Sequence, residues 1–226
     1  MRQVPLALRP EPQATFEDFQ AGPDVVALEH LRAALPPRAP VYLWGPPGSG
    51  KTHLLRALAQ ACAAAGVGVA WFYADQPTAP AIAPGTKLLL VDDVHALGPA
   101  SQQRLFADLV EAQGQGGTWA AAGNAPPVDL PLREDLRTRI AWGHVFALQG
   151  LDDAGTRRVL LREASRRGIA MGEEVLTWLL YRFERDLGSL MRLLDRLDDY
   201  ALAQSRAVTV PLLRQMLAED AQDCAA

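Results

Sequence analysis

The chain has few of the residues that build disulfide frameworks or metal clusters. Its 226 residues include two cysteines, Cys62 in an alanine-rich stretch and Cys224 close to the end. Two cysteines so placed can form neither a disulfide-stapled scaffold nor a zinc site. We therefore expect both to be plain thiols.

Long apolar segments are also missing. No apolar run approaches the roughly 20 residues that a membrane-spanning helix needs, and the apolar part of MRQVPLALRP is too short for a secretory signal. We therefore expect a cytoplasmic protein without a membrane partner. The composition, 49% hydrophobic and 21% charged, is typical of a globular chain with a sizeable core and argues against disorder.

The sequence has no block of positive charge. The formal net charge is −4, and acidic and basic side chains are spread evenly over both halves. Because the chain lacks the basic stretch that follows a phosphate backbone, we expect no direct sequence-specific DNA binding. Lysine is rare among the basic residues and occurs as Lys51 and Lys87. A lysine in this arginine-rich background is a candidate functional residue.

Short apolar runs alternate with amphipathic stretches over residues 15–149. The runs are apolar without alternation, which predicts strands buried on both faces. With helical periodicity between them, they indicate a parallel five-stranded α/β domain. The predicted strands are 41–45, 69–74, 87–94, 118–124 and 144–149, and the predicted helices between them are 24–35, 51–65 and 100–112.

Helical periodicity takes over after residue 150. Leucine and methionine recur at three and four residues over 187–197, which predicts one apolar stripe on a helix. We expect a small all-α domain over 150–226, whereas residues 1–14, with three prolines and no periodicity, predict an extended arm. The predicted helices are 153–167, 172–183, 187–204 and 210–218.

The segment GPPGSGKT has the pattern of a phosphate-binding loop. It matches G-x-x-x-x-G-K-[ST] between a predicted strand and a predicted helix, which is the context that the motif requires. Its glycines let backbone N–H groups and the helix N-terminus point at phosphate oxygens. Lys51 is expected to reach the β- and γ-phosphates, and the Thr52 hydroxyl to bind Mg²⁺. The predicted nucleotide-binding residues are Gly45, Pro46, Pro47, Gly48, Ser49, Gly50, Lys51 and Thr52.

Polar residues end the next two predicted strands. LLLVDDVHAL ends its apolar run at Asp92 and Asp93, where a parallel sheet binds ligands. We expect Asp92 to hold Mg²⁺ through water and Asp93 to polarise an attacking water, while His95 is expected to be a loop side chain. AAAGN ends at Asn124, which either positions the same water or is a turn residue. Both readings of this asparagine stay open.

Three arginines lie on a short predicted helix before the last strand. LREDLRTRIAWG carries Arg133, Arg137 and Arg139. An arginine that completes the active site of a neighbouring molecule must lie at the edge of its own protein with the guanidinium outward. The pattern on this helix does not indicate which of the three arginines has that role. It also does not distinguish the role from that of ordinary solvated arginines.

Together these features resemble an AAA+ ATPase, and within that class the replication initiator DnaA. TFEDFQAGP, residues 15–23, resembles the opening of the initiator's nucleotide module, which implies that Phe16 and Phe19 wall the adenine side. VDDVHAL resembles its acidic strand. TRIAWG resembles its arginine-finger segment, which assigns the finger to Arg139.

The N-terminal QVPLAL fits Q-x-x-L-x-L and resembles the peptide that docks into the sliding clamp of the replicative polymerase. Gln3 would satisfy backbone groups of the groove, and Leu6 and Leu8 would fill it. The alternative is that the two leucines pack on their own core. An initiator-like module with this arm, and without an initiator's DNA-reading helix-turn-helix domain, resembles the Hda family of regulatory inactivators of DnaA.

This resemblance implies a replication inhibitor that, bound to the DNA-loaded clamp, stimulates ATP hydrolysis on DnaA through Arg139. It also implies bound ADP or ATP with Mg²⁺. Alignment of LLDRLD with the initiator puts Gly188 where the initiator has a sensor arginine, with Arg185 and Arg192 on adjacent turns, so we expect weak turnover by the chain itself.

Two alternative functions stay open beside this reading, an ATPase of the helicase-loader type and a binding module whose intact loop is vestigial or structural, and so does the oligomeric state. A homodimer and a head-to-tail filament are both open to AAA+ modules. The phosphate loop and acidic strand also fit an ATPase of the helicase-loader type, in which QVPLAL would have no evident role.

Overall fold

The structure is a computed structural model that describes residues 14–73, 82–182, 187–204 and 206–223. Within these residues, five strands form one parallel sheet. The strands are β1 (Val41–Trp44), β2 (Gly68–Phe72), β3 (Thr86–Val91), β4 (Thr118–Gly123) and β5 (His144–Ala147). The helices of the same part are α1 (Val25–Ala33), α2 (Lys51–Ala64), α3 (Pro99–Gly114) and α4 (Glu134–Ile140).

The sheet has the order β2-β3-β4-β1-β5, and its central strands are covered on both faces. Val41 and Leu43 of β1 pack in one apolar cluster with residues of α1 and α2, while Tyr42 between them packs on the opposite face in a cluster with α3 and α4. Successive side chains of a strand point to opposite faces, so both must be apolar here. The predicted parallel α/β sheet is confirmed.

The two edge strands correct one prediction. The sequence predicts that all strands are buried on both faces, but His144, Val145 and Ala147 of β5 are exposed, and β2 is only partly buried. The reason is position: β2 and β5 are the outer strands and pair on one side only, so fewer neighbours cover their side chains. An apolar strand sequence does not reveal whether the strand is central or at an edge.

Residues from Leu151 onward form a second compact unit, distinct from the unit that ends at Gly150. Its first helix begins after Asp152, whose Oδ1 accepts a hydrogen bond of 2.6 Å from the Gly155 amide as an N-cap. Leu160, Leu190 and other buried leucines form its core. The helices are α5 (Asp153–Arg166), α6 (Glu173–Arg182), α7 (Leu187–Gln204) and α8 (Val210–Asp223).

The apolar stripe predicted for 187–197 lies on α7. Leu190, Leu194 and Leu197 are buried, and Leu187 and Met191 are partly buried beside them. The last helix continues five residues beyond its predicted end at 218, because no glycine or proline interrupts it there. None of the helices among the described residues has the length and apolar character to cross a bilayer.

The turn that joins α4 to β5 passes close to the backbone of Pro40, which makes Gly143 a test of the packing. A Cβ at this position would lie 1.9 Å from the carbonyl oxygen of Pro40, which also accepts a hydrogen bond from the His144 amide. We predict that Gly143→Ala lowers the free energy of unfolding by about 2 kcal/mol in denaturant titrations. As a control, Gly114→Ala meets nothing within 4 Å and should be neutral or stabilising. Equal stabilities of the two variants would contradict the packing argument.

Candidate nucleotide site and surface arginine

The phosphate loop, residues 45–50, connects β1 to α2. Gly48 and Gly50 have φ angles of +74° and +89°, which glycine adopts without strain. The ring of Phe19 lies against the loop, so a Cβ at position 50 would come within 2.5 Å of its Cε2 atom. Position 50 therefore requires glycine for two independent reasons, the backbone conformation and the close approach of Phe19.

Lys51 begins α2 and turns back into the loop. Its Nζ atom donates hydrogen bonds to the carbonyl oxygens of Gly45 and Pro46, both at 2.8 Å, and to the Ser49 Oγ at 3.3 Å. The residue is only 8% exposed. A buried ammonium is costly unless it is hydrogen-bonded, so these contacts hold the positive charge inside the loop. That is where the sequence predicts phosphate oxygens.

Thr52 and Asp92 form the second contact of the site. The Thr52 hydroxyl donates a hydrogen bond of 2.6 Å to the Asp92 carboxylate, whose other oxygen accepts from the Asp93 amide at 3.0 Å. Burial raises the pKa of Asp92 above its usual value, and the hydrogen bond from Thr52 opposes this rise. Adjacent hydroxyl and carboxylate oxygens are hard donors of the type that Mg²⁺ prefers, so this pair fits the predicted metal role.

Asp93 follows in an unusual backbone conformation. Its φ angle is +48°, in the left-handed region that aspartate tolerates better than most residues, and its side chain is exposed. His95 is the nearest base, but its Nδ1 atom lies 3.9 Å from Asp93 Oδ1, too far for a hydrogen bond. The described residues contain no group of three or more potential metal ligands that includes His95.

Asn124 lies at the same edge of the sheet as Asp92, after the neighbouring strand. It is exposed and follows β4 directly, between the ends of β1 and β3. The loop after β4 is anchored to β1, because the buried Tyr42 hydroxyl donates a hydrogen bond of 2.7 Å to the Ala125 carbonyl. The sheet therefore brings together the loop, the acidic residues and this amide.

The two phenylalanines assigned to the adenine side occupy different environments. Phe16 is buried in the core, with the Arg32 guanidinium 5.7 Å from its ring centroid. Phe19 is partly buried, and its ring centroid lies 6.1 Å from that of His53. His53 in turn bonds the Thr15 carbonyl at 2.8 Å, which fastens this segment to α2. Phe19 is thus the one that touches the phosphate loop.

Arg139 lies at the surface on α4. Its Nη1 donates a hydrogen bond of 2.7 Å to Gln113 Oε1, and its guanidinium lies 5.3 Å from the Phe106 ring centroid and 5.7 Å from that of Trp142. Trp142 is 67% exposed. Arg139 is therefore half-buried at the surface, where a polar contact and two aromatic rings hold its guanidinium.

The other two candidate arginines share some of these features. Arg133 is exposed at the N-cap position, its Nη2 pairs with Asp135 at 2.7 Å, and its guanidinium lies 5.9 Å from the Phe106 ring centroid. Arg137 is half-buried, as Arg139 is. Leu136 and Ile140 are buried in the core, so the helix turns its apolar side inward and leaves the arginines on the outside.

Sequence reasoning missed the residues that support Arg139. Phe106 and Gln113 lie two turns apart on α3 and therefore face the same direction. Nothing in the sequence links them to α4, since the contact depends on how the two helices pack. Trp142 differs in that it lies inside the TRIAWG segment, three residues after Arg139, although no role was predicted for it.

Several predicted residues lie elsewhere. In the second unit, Gly188 and Arg192 are on α7, and Arg192 Nη2 donates to the Ser189 hydroxyl at 2.9 Å. Arg185 lies outside the described residues, as do the predicted clamp-binding residues Gln3, Leu6 and Leu8.

Comparison with known proteins found a family model and a curated relative that are similar to this chain. Residues 153–217 match the family model "Hda, lid domain". The chain is 29% identical over 238 aligned residues to an uncharacterized protein of Haemophilus influenzae, an alignment that covers 96% of this chain and 98% of the other.

Solved structures of initiators share the fold. Domain III of the Thermotoga maritima replication initiation protein DnaA superimposes with a TM-score of 0.77 at 20% identity, covering 93% of this chain and 98% of that domain. AMPPCP-bound DnaA from Aquifex aeolicus matches with a TM-score of 0.64 at 22% identity, covering 82% of this chain and 66% of the other. The chain therefore has the fold of DnaA domain III, and its residues 153–217 are similar to the lid domain of Hda.

Proposed function

We propose that this protein regulates replication initiation by stimulating hydrolysis of the ATP bound to the initiator DnaA. In this proposal Arg139 is the arginine finger that acts on the nucleotide of the other molecule. The single observation that carries it is the position of Arg139, surface-held on α4 beside the exposed Trp142. The match of the lid to the Hda model supports the choice of partner.

The proposed chemistry is electrostatic. Negative charge on the γ-phosphoryl oxygens spreads in the transition state, and a planar guanidinium that reaches them offsets it. In other finger systems the effect is about 10³ to 10⁵ in rate. Arg139 meets two requirements of this role. The Gln113 contact limits its conformations, and none of the ion pairs among the described residues involves its guanidinium.

The protein's own nucleotide would act mainly as a structural ligand. ADP or ATP bound at the loop would contact the backbone of residues 45–50 and the Lys51 ammonium, while Thr52 and Asp92 would hold Mg²⁺. When bound, the metal would neutralise phosphate charge. Asp93 and Asn124 would orient water at the strand ends. Gly188, which aligns with the initiator's sensor arginine, favours weak turnover over an efficient ATPase.

Tethering to the sliding clamp completes the proposal. Gln3, Leu6 and Leu8 would dock into the clamp groove, so the protein would act on DnaA only where a clamp is loaded on DNA. The tether raises the local concentration of the finger near its target. It also separates this function from that of a helicase loader.

The first prediction concerns nucleotide binding. Lys51→Ala removes the ammonium at the loop and should weaken binding of a fluorescent ADP analogue by at least about tenfold, since hydrogen bonds to charged groups are the stronger ones. Lys87→Ala is the matched control, because Lys87 lies outside the loop and its Nζ donates a hydrogen bond of 3.0 Å to the exposed Gln115 carbonyl. Equal affinities of the two variants would contradict the assigned site.

The second prediction concerns the finger. Initiator preloaded with labelled ATP is mixed with clamp-loaded DNA and this protein, and release of labelled ADP is followed. Arg139→Ala should reduce the stimulated rate to the unstimulated rate, while Arg139→Lys should keep a small part of it, because lysine retains charge but not the planar fork.

Two results would overturn this assignment. Arg137→Ala and Arg133→Ala are the matched controls on the same helix, and loss of stimulation in either with an active Arg139→Ala would move the finger. Robust ATP turnover without initiator, lost in Lys51→Ala, would instead favour the helicase-loader alternative.

The third prediction concerns the clamp. Gln3→Ala and Leu8→Ala should each weaken clamp binding in surface plasmon resonance without an appreciable change in Tm. Gln13→Ala, a glutamine outside the motif, should bind as the unaltered protein does. A large fall in Tm in the motif variants would show instead that the leucines pack on the protein's own core.

A further inference from the structure

Gln102, a buried residue near the start of α3, forms hydrogen bonds through both the nitrogen and the oxygen of its side-chain amide. Its Nε2 atom donates to the carbonyl oxygens of Leu97 at 2.8 Å and Pro131 at 3.2 Å, and its Oε1 atom accepts from the Arg133 amide at 2.9 Å. Two carbonyls require the NH₂ group and one amide requires the oxygen, so only one orientation of the side-chain amide fits. The residue is 8% exposed.

These partners belong to two functionally distinct segments. Leu97 ends the short turn that follows Asp93, and this turn is closed by a hydrogen bond of 2.9 Å from the Ala96 amide to the Asp93 carbonyl. Arg133 is the N-cap residue of α4, the helix that carries Arg139. A single side chain therefore joins the segment after the acidic strand end to the beginning of the finger helix.

Apolar packing does not replace this contact. Leu97 and Leu136 are buried in the same cluster as Leu105 of α3, which holds the two segments together, but apolar contacts are not directional. The Gln102 amide adds direction, because hydrogen bonds weaken when their angles change. Its removal would leave one N–H and two carbonyl groups without this partner in a buried region, a costly arrangement.

We propose that Gln102 is a positioning residue, which fixes the start of α4 to the segment after Asp93 and so couples the place of Arg139 to the protein's own nucleotide site. Its effect on stimulation rests on the proposed function. α3 thus contacts α4 through two glutamines: Gln102 accepts a hydrogen bond from the Arg133 amide, and Gln113 accepts one from the Arg139 side chain.

Three variants of the full chain separate the contributions. Gln102→Met keeps the length and removes all three hydrogen bonds. Gln102→Glu keeps the acceptor for the Arg133 amide but puts a carboxylate against two carbonyls. Gln103→Met, at the exposed neighbouring position, is the matched control.

The first readout does not involve the initiator. Amide hydrogen exchange is measured for residues 133–140, with and without ADP. In Gln102→Met the Arg133 amide should exchange about tenfold faster than in the unaltered protein, since a lost hydrogen bond corresponds to roughly that factor. ADP should change exchange across α4 in the unaltered protein and in Gln103→Met, but not in Gln102→Met.

The second readout is stimulation of initiator ATP hydrolysis at several concentrations of this protein. Gln102→Met should lower the maximal rate about tenfold and leave the half-saturating concentration within about threefold, because docking surfaces stay intact while the finger is displaced. Gln102→Glu should recover activity as the pH falls, because a protonated carboxyl can donate to the Leu97 carbonyl and a carboxylate cannot.

The outcomes distinguish this proposal from the proposed function. Unchanged exchange of α4 in Gln102→Met, or a lowered Tm with an unaltered maximal rate below that Tm, would overturn the positioning role. If the unaltered protein gave no stimulation but Gln102→Met still lost both the protection of α4 and its response to ADP, the proposed function would fail while the coupling through Gln102 would stand.

Discussion

Parallel pairing of β4 with both β1 and β3 is the constraint on which the candidate site depends. Because parallel strands end at the same edge, this order brings the phosphate loop, Asp92 and Asn124 together from distant parts of the chain. The hydrogen bond between Thr52 and Asp92 then connects the start of α2, which follows β1 and the loop, to the end of β3. Without the pairing, each motif would be an isolated polar segment with no common ligand.

The same sheet supports a second, outward-facing arrangement. α3 and α4 pack over one face, and the buried Leu136 and Ile140 orient α4 so that Arg139 stays at the surface. Gln113 and Gln102 on α3 then limit how that surface arginine and its helix can move. The role proposed for Arg139 requires a guanidinium that is both accessible and held in place, and this pair of helices provides the two properties through different contacts.

Much of this was predictable from local pattern. The phosphate loop was recognisable because glycine, lysine and threonine must stand at fixed spacing for backbone and side chains to surround phosphate, and the strands because buried strands are apolar throughout. Burial of β5 was predicted wrongly, since HVFA has the composition of a central strand while its exposure depends on the missing neighbour. Tyr42, Gln102 and Gln113 were not found, because their partners are 83, 31 and 26 residues away along the chain.

The sequence by itself determined the fold class and the resemblance to the Hda family, and it predicted the chemistry of the loop, because each depends on short segments whose spacing is local. Only the tertiary structure decided which strands are edges, which phenylalanine reaches the loop and how Arg139 is held. These features depend on contacts between segments that are distant along the chain. Many sequences of similar composition make such contacts with different residues.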